Sequence, residues 1–166
     1  MVSCKELFGG LVVFQRFTEG AIKTIMFAQE FSRGTGNNFV GPESMLAGLA
    51  AVEGSKAALA LKELGVTKEQ VRSEFERVVG IGNDDIAIEI PFTSDSKRLL
   101  ENSWDEARMR GDNFIDTQHL LLGLLSYAKV RAETKPEPLK AMQMLEGLNV
   151  PPDELRKRVL DLASAK

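Results

Sequence analysis

Apolar positions along this chain recur at steps of three and four residues rather than in alternation, a pattern that predicts helices and very little strand. Ala21, Ile25, Ala28 and Ser32 share one helical face, and Ser96, Leu100, Ser103 and Ala107 share another of the same character. Small side chains on such a face let a neighbouring helix approach closely. Thr18 and Thr93 stand where an N-cap belongs, each just ahead of its periodic run. A more uniformly apolar helix follows each of these, opened by Gly41-Pro42 in one case and Asp116-Thr117 in the other, since Pro suits the first turn and Asp or Thr can cap it. Uniform apolarity predicts a central, buried position.

Comparing the chain with itself explains the parallel. At an offset of 75 residues Phe17-Thr18 returns as Phe92-Thr93, Arg33 as Arg108, Gly36 as Gly111, Asn38-Phe39 as Asn113-Phe114, and Leu46-x-Gly48-Leu49 as Leu121-x-Gly123-Leu124. Further on, Leu61-x-x-Leu64-Gly65-Val66 matches Leu145-x-x-Leu148-Asn149-Val150 at an offset of 84, so the second copy holds nine extra residues between Leu125 and Leu145. The chain is an internal duplication of a four-helix unit, and the fold class is all-α. The third helix of each copy stops at Gly65 or Asn149, the residue types that most readily take the left-handed C-cap. The fourth opens with a Thr67/Gln70 capping box or with Pro152, and buries Val71, Phe75 and Val78, or Leu155, Val159 and Leu162. This divides the chain into a tail over 1–15, a first copy over 16–82, a linker over 83–91 and a second copy over 92–163. The linker, with Ile86-Ala87-Ile88-Glu89-Ile90-Pro91, reads as extended. The extra residues, at about 128–138 around Lys135-Pro136-Glu137-Pro138, read as a polar loop.

Composition narrows the chemistry. With 166 residues, 43% of them hydrophobic, the chain can bury a substantial core. Its 21 basic and 24 acidic residues give a net charge of -3, which leaves no broad basic field for nucleic acid or anionic lipid, so proteins are the expected partners. Arg156-Lys157-Arg158 and Arg108-x-Arg110 read as solvated helical faces. One cysteine and one histidine allow neither a disulfide framework nor a Cys/His zinc site, and no cofactor or metal is expected. Apolar runs such as Leu120 to Leu125 are far shorter than the roughly 20 residues a membrane helix needs, and residues 1–15 lack a signal core. Gly54-Ser55-Lys56 lacks the remaining frame of a phosphate-binding loop. His119 has no indicated Ser or Cys to activate, and a capping or packing role accounts for it. Glu43 in a first helical turn reads either as a ligand carboxylate or as an acid favoured by the helix dipole. Trp104 replaces Gln29 of the first copy, a position that should face outward, where the indole reads either as a contact or as a cover for the neighbouring half.

Arg16-Phe17-Thr18-Glu19-x-Ala21-Ile22-Lys23, Asn38-Phe39-Val40-Gly41, Ile90-Pro91-Phe92-Thr93, Asp105-Glu106-Ala107-Arg108 and His119-Leu120-Leu121-Leu122-Gly123-Leu124 together resemble the tandem repeats of the Clp N-terminal domain. The resemblance covers nearly everything after residue 15. It implies eight helices in two pseudo-symmetric halves, no catalysis, and work in the Clp protease system in the chloroplast stroma or a cyanobacterial cytoplasm. Three readings follow. One is a ClpT-like accessory subunit that binds the Clp protease core or its ATPase chaperone, which a chain ending at Lys166 without an ATPase sequence favours. Another is the substrate- and adaptor-docking domain of a ClpC-type unfoldase. The third is a small helical hydrolase built on His119. The family's Gly-Thr-Glu-His opening is altered to Gly41-Pro42-Glu43-Ser44 and Asp116-Thr117-Gln118-His119. In bacterial relatives the Glu of this motif is associated with phosphorylated arginine, a role that Gln118 fits poorly because a carboxylate pairs with a guanidinium more strongly than an amide does. The docking residues implied are Phe17, Glu43, Trp104, Gln118 and His119, near a groove between the halves, with the extra loop at Lys129 to Pro138 as a further contact.

Overall fold

The computed structural model describes residues 15–82 and 90–164. Among the described residues there are eight named helices: α1 (Glu19–Gly34), α2 (Pro42–Ala51), α3 (Lys56–Glu63), α4 (Lys68–Val78), α5 (Ser94–Met109), α6 (Thr117–Ala132), α7 (Lys140–Gly147) and α8 (Pro152–Ser164). The caps fall where the sequence places them. Thr18 accepts from the Ala21 backbone N–H and Thr93 from that of Ser96. Thr67 and Gln70 close a reciprocal capping box. Each such cap satisfies an otherwise orphaned amide and contributes about 1 kcal/mol. Gly65 and Asn149 both sit at positive φ, 82° and 59°, which confirms them as the paired stops of α3 and α7.

The small-residue faces do what the pattern requires. Ala21, Ile25, Ala28 and Ser32 of α1 are buried, as are Ser96, Leu100, Ser103 and Ala107 of α5. Gly48 of α2 and Gly123 of α6 receive them. A Cβ on Gly48 would collide with the Thr24 carbonyl oxygen, and one on Gly123 would lie 2.7 Å from the Ser103 nitrogen and 2.9 Å from the Leu99 oxygen. Backbone stands in the way in both cases, joined at Gly123 by the Ser103 hydroxyl, so the helices cross at a separation that only glycine permits. Leu46, Leu49, Leu120, Leu121, Leu122 and Leu124 are fully buried, which makes α2 and α6 the centre of the core.

The two copies do not sit side by side as separate bundles. The chain entering α1 pairs with the chain entering α6: the Thr18 N–H donates to the Ile115 oxygen at 2.9 Å and the Ile115 N–H to the Arg16 oxygen at 2.6 Å. The chain entering α5 pairs in the same way with the chain entering α2, through Val40 N–H to Pro91 oxygen at 2.9 Å and Thr93 N–H to Val40 oxygen at 3.0 Å. These two short parallel bridges, Phe17 with Ile115 and Phe92 with Val40, are images of one another under the 75-residue offset. Helix packing crosses between copies too: α3 packs on α8, and α4 on α7. Ile90 and Pro91 belong to this crossing, and the rest of the expected extended linker, 83–89, lies outside the described residues, as do 1–14 of the tail.

The extra residues of the second copy are not simply a loop. Helix α6 has 16 residues against ten in α2, so the insertion from Ala128 to Ala132 continues the helix, and only the stretch ahead of Lys140 is irregular. Ala128 is buried against the core, an apolar foothold that carries the helix past the point where α2 ends. Arg131 anchors the loop by donating to the Glu137 carbonyl and by an ion pair with Asp95 at 3.5 Å. Val78 and Leu162, read as inward, are half-buried.

Gly48→Ala and Gly123→Ala should each lower stability by about 1–3 kcal/mol, the usual cost of overpacking a well-filled interface. Urea denaturation measures it, and Gly54→Ala is not a suitable control because Gly54 holds a φ of 82°.

Candidate functional site

The five residues singled out in the sequence occupy three different surroundings. Phe17, Glu43, Gln118 and His119 are buried. Trp104, expected to face outward, is half-buried and packs against the core, with Arg16 5.0 Å and Arg108 5.8 Å from its ring centroid. Two guanidiniums over one indole stabilise it from the solvent side. Phe17 fills the core beneath the crossing strand pair.

His119 works as a cap. Its Nδ1 accepts from the Asp116 backbone N–H at 2.9 Å, so Nε2 carries the proton and donates to Asp112 Oδ2 at 2.8 Å. Asp116 in turn accepts from the Thr117 N–H at 2.8 Å and from the Thr18 hydroxyl at 2.7 Å, which ties the start of α6 to the start of α1. Both ring nitrogens are therefore engaged in holding a helix terminus. This arrangement gives no support to the hydrolase reading.

Glu43 and Gln118 take equivalent places in the first turns of α2 and α6. Gly41, the N-cap of α2, has no side chain to offer, and the Glu43 carboxylate folds back into the space that a Cβ there would occupy. Burial pushes the Glu43 carboxyl above its ordinary value, against the opposing pull of its backbone hydrogen bond and of Lys140, while Asp95 pushes the same way as burial. The Gln118 Oε1 is buried and has no hydrogen-bond partner among the described residues. Near Glu43, Asp95 accepts from the Tyr127 hydroxyl, and burial together with this bond pushes the Tyr127 pKa up to about 12.

An open surface lies elsewhere, on the second copy. A groove of about 990 Å³ runs between the end of α6, the start of α8 and α7, floored by Leu125, Ala128, Val130, Met142 and Val150. Val130 is 58% exposed within it. A shallower depression between α5 and α6, with Asn102, Glu106 and Met109 on its wall, meets the groove at Ser126. Glu106, buried on α5, is ion-paired to Arg110 and approached by Arg156 of α8 at 3.8 Å. Sequence reasoning marked the Lys129 to Pro138 stretch as a contact but not this groove. The available signal was Ala128, Val130 and Ala132, three apolar residues inside a stretch read as polar loop. Among the described residues no cluster of three or more His, Cys, Asp or Glu side chains could hold a metal ion, and no single helix is long and apolar enough to cross a membrane.

Among the described residues the architecture is a duplicated, crossed body of eight helices with an open groove on its second copy. A family model described as the Clp repeat N-terminal domain matches residues 16–134, and the chain belongs to that family. It is 44% identical over 148 residues to the chloroplastic chaperone protein ClpC2 of Oryza sativa subsp. japonica, a match covering 89% of this chain and 15% of that protein. It is 51% identical over 113 residues to the Clp protease ATP-binding subunit ClpA homolog of Guillardia theta, covering 68% of this chain and 14% of that one. The chain thus spans about a seventh of the length of the curated relatives it matches. Among solved structures, the N-terminal domain of the chaperone ClpD from Arabidopsis thaliana superposes with a TM-score of 0.72 at 24% identity, covering 92% of this chain and 100% of that one. The ClpV N-domain in a complex with a VipB peptide superposes with a TM-score of 0.62 at 17% identity, covering 92% and 91%. These likenesses fix the all-helical Clp fold. The chloroplastic relatives support the plastid compartment, and they favour the ClpC-type reading over the accessory-subunit one.

Because the folded protein holds the Glu43 proton to a higher pH than the unfolded chain does, this group's contribution to stability is full below about 4.5 and is lost as pH rises through its raised folded value. Glu43→Gln, which copies the second repeat, should remove that loss. Chemical denaturation between pH 4.5 and neutrality should show a flatter pH profile for the variant than for the parent protein.

Proposed function

We propose that this chain is the substrate- and adaptor-docking domain of a ClpC-type unfoldase, working without catalysis of its own. The observation that carries the reading is the open apolar groove on a domain whose curated relatives are ClpC-type chaperones. A groove floored by aliphatic side chains and rimmed by charges suits a segment of another polypeptide, which can bury apolar side chains while its backbone stays partly solvated. The ClpV N-domain, a fold relative, is known in a complex with a peptide, which supports this use of the scaffold.

The buried polar residues fit the same reading as supports. Gln118 and His119 sit in the first turn of α6, the helix whose far end walls the groove, and Glu43 sits in the equivalent turn of α2, which packs in the core and does not line it. The Gly41 to Ser44 opening retains one carboxylate of the family motif, and that carboxylate is turned onto its own helix terminus. Phosphoarginine recognition at Glu43 would require it to leave that position.

Grafting this chain onto a ClpC-type hexamer stripped of its own N-terminal domain tests the proposal, with degradation of an unfolded client by the partnered protease as the readout. Restored degradation is the expected result. A graft that delivers nothing, while the free chain co-elutes with the proteolytic core, would overturn it in favour of a ClpT-like accessory subunit.

A further inference from the structure

The turns that join the first and second helices of each copy are built alike. In the first copy the Gly36 N–H donates to the Arg33 oxygen at 3.1 Å and the Asn37 N–H to the Ser32 oxygen at 2.8 Å. In the second the Gly111 N–H donates to the Arg108 oxygen at 3.0 Å and the Asp112 N–H to the Ala107 oxygen at 2.9 Å. Gly36 and Gly111 hold the same left-handed conformation, with φ of 74° and 73°. Their surroundings differ. Thr35 and Asn37 are buried and Phe39 is half-buried, whereas Arg110 is only half-buried, Asp112 is exposed and Phe114 is 53% exposed.

The first turn is covered by the chain leaving α4. The Gly82 N–H donates to the Thr35 oxygen at 2.8 Å, and the two backbones meet so closely that a Cβ on Gly36 would collide with the Gly82 carbonyl, and one on Gly82 with the Gly36 carbonyl. This contact needs glycine on both sides. The second turn keeps its own half of the contact. A Cβ on Gly111 would meet nothing within 4 Å, and among the described residues no backbone N–H reaches the carbonyl of Arg110, the counterpart of Thr35. By the 84-residue offset that relates the later helices, the residue corresponding to Gly82 is Lys166, which carries the Cβ that the contact excludes. An occupant of the second turn therefore brings a glycine of its own. Met109, 70% exposed at the end of α5, and Phe114 flank the turn with apolar surface, and Met109 also walls the depression that meets the groove at Ser126.

From this comparison we infer that the α5–α6 turn is a docking seat for a glycine-bearing segment of a partner polypeptide, its glycine against Gly111 and a backbone N–H donating to the Arg110 carbonyl as Gly82 donates to that of Thr35. The inference rests on the docking reading and adds a seat beyond the groove. Recognition through main-chain hydrogen bonds is tolerant of side chains, so the glycine is the requirement and its neighbours matter less.

A synthetic peptide with the sequence of residues 79–88, acetylated and amidated at its ends, is the probe, because it carries the glycine that the first copy already seats. Titrated against the full chain, it should shift the amide resonances of Gly111, Asp112 and Phe114. Those of Gly36 and Asn37 should stay in place, since the tethered segment holds the first seat at high effective concentration. Gly111→Asn sets a Cβ in the path of the peptide while keeping a residue type that tolerates positive φ, as Asn149 does. This variant, and separately a peptide with valine in place of Gly82, should each weaken binding about tenfold, a difference of about 1.4 kcal/mol. The valine peptide leaves the protein untouched and decides the matter where the Gly111→Asn chain fails to fold. Binding that either substitution leaves unchanged, shifts centred on Gly36, or no binding at all overturns the inference. Client delivery by the hexamer grafted with the parent chain is a separate readout, and it shows whether the docking reading stands where the seat does not.

Discussion

Everything in this molecule depends on the crossed backbone pairing that joins the copies. Four hydrogen bonds, two at Phe17 and Ile115 and two at Val40 and Phe92, hold the entry to each first helix against the entry to the other copy's second helix. Because Phe17, Val40, Phe92 and Ile115 are also buried, the same four residues supply both backbone pairing and core volume. Neither copy can complete this arrangement alone, since its edge would expose unpaired amides and carbonyls together with large apolar side chains. The partnering of α3 with α8 and of α4 with α7 extends the dependence through the rest of the body.

Duplication with this interlock creates a rigid frame, and the differences between copies are then free to carry function. At equivalent places the first copy has Glu43 where the second has Gln118, and Phe31 where the second has Glu106. Phe31 packs edge-on against Phe75 at 4.7 Å and fills the corner of its copy. Glu106 instead holds arginines at the corner of the other. The lengthened α6 walls the open groove of the second copy, and Glu106 lies in the neighbouring depression that meets it at Ser126. In the proposed reading the second copy offers the surface for a partner.

Much of the fold was legible in the sequence because it is written in local signals. Helical periodicity, Thr caps, the Thr67 and Gln70 box and the Gly65 and Asn149 stops each depend on a few adjacent residues, and the 75-residue offset reports the duplication directly. The crossing between copies left no such signal. Two single bridges between segments nearly a hundred or about fifty residues apart have no periodicity of their own, so the pairing behind Ile90-Pro91 reads only as an extended linker. The site was less legible than the fold. Motif resemblance pointed to Glu43, Gln118 and His119, and a sequence does not display that all three are buried, His119 in a helix cap and the other two in first turns packed into the body. Trp104 was read as outward from its polar counterpart Gln29, but Arg16 reaches across from the chain entering α1 to cover it. The groove escaped notice because the Pro-rich stretch after Ala132 dominated the reading of the insertion, and the apolar Ala128 and Val130 before it were counted as loop.

Methyl-resolved nuclear magnetic resonance of the full chain, titrated with an unfolded client protein, tests the division of labour between the copies most directly. The account predicts shifts concentrated at Leu125, Val130, Met142 and Val150, with the methyls of Met45, Leu46 and Leu49 in the first copy left in place. Shifts centred on α2 and the surroundings of Glu43, or spread equally over both copies, would contradict it.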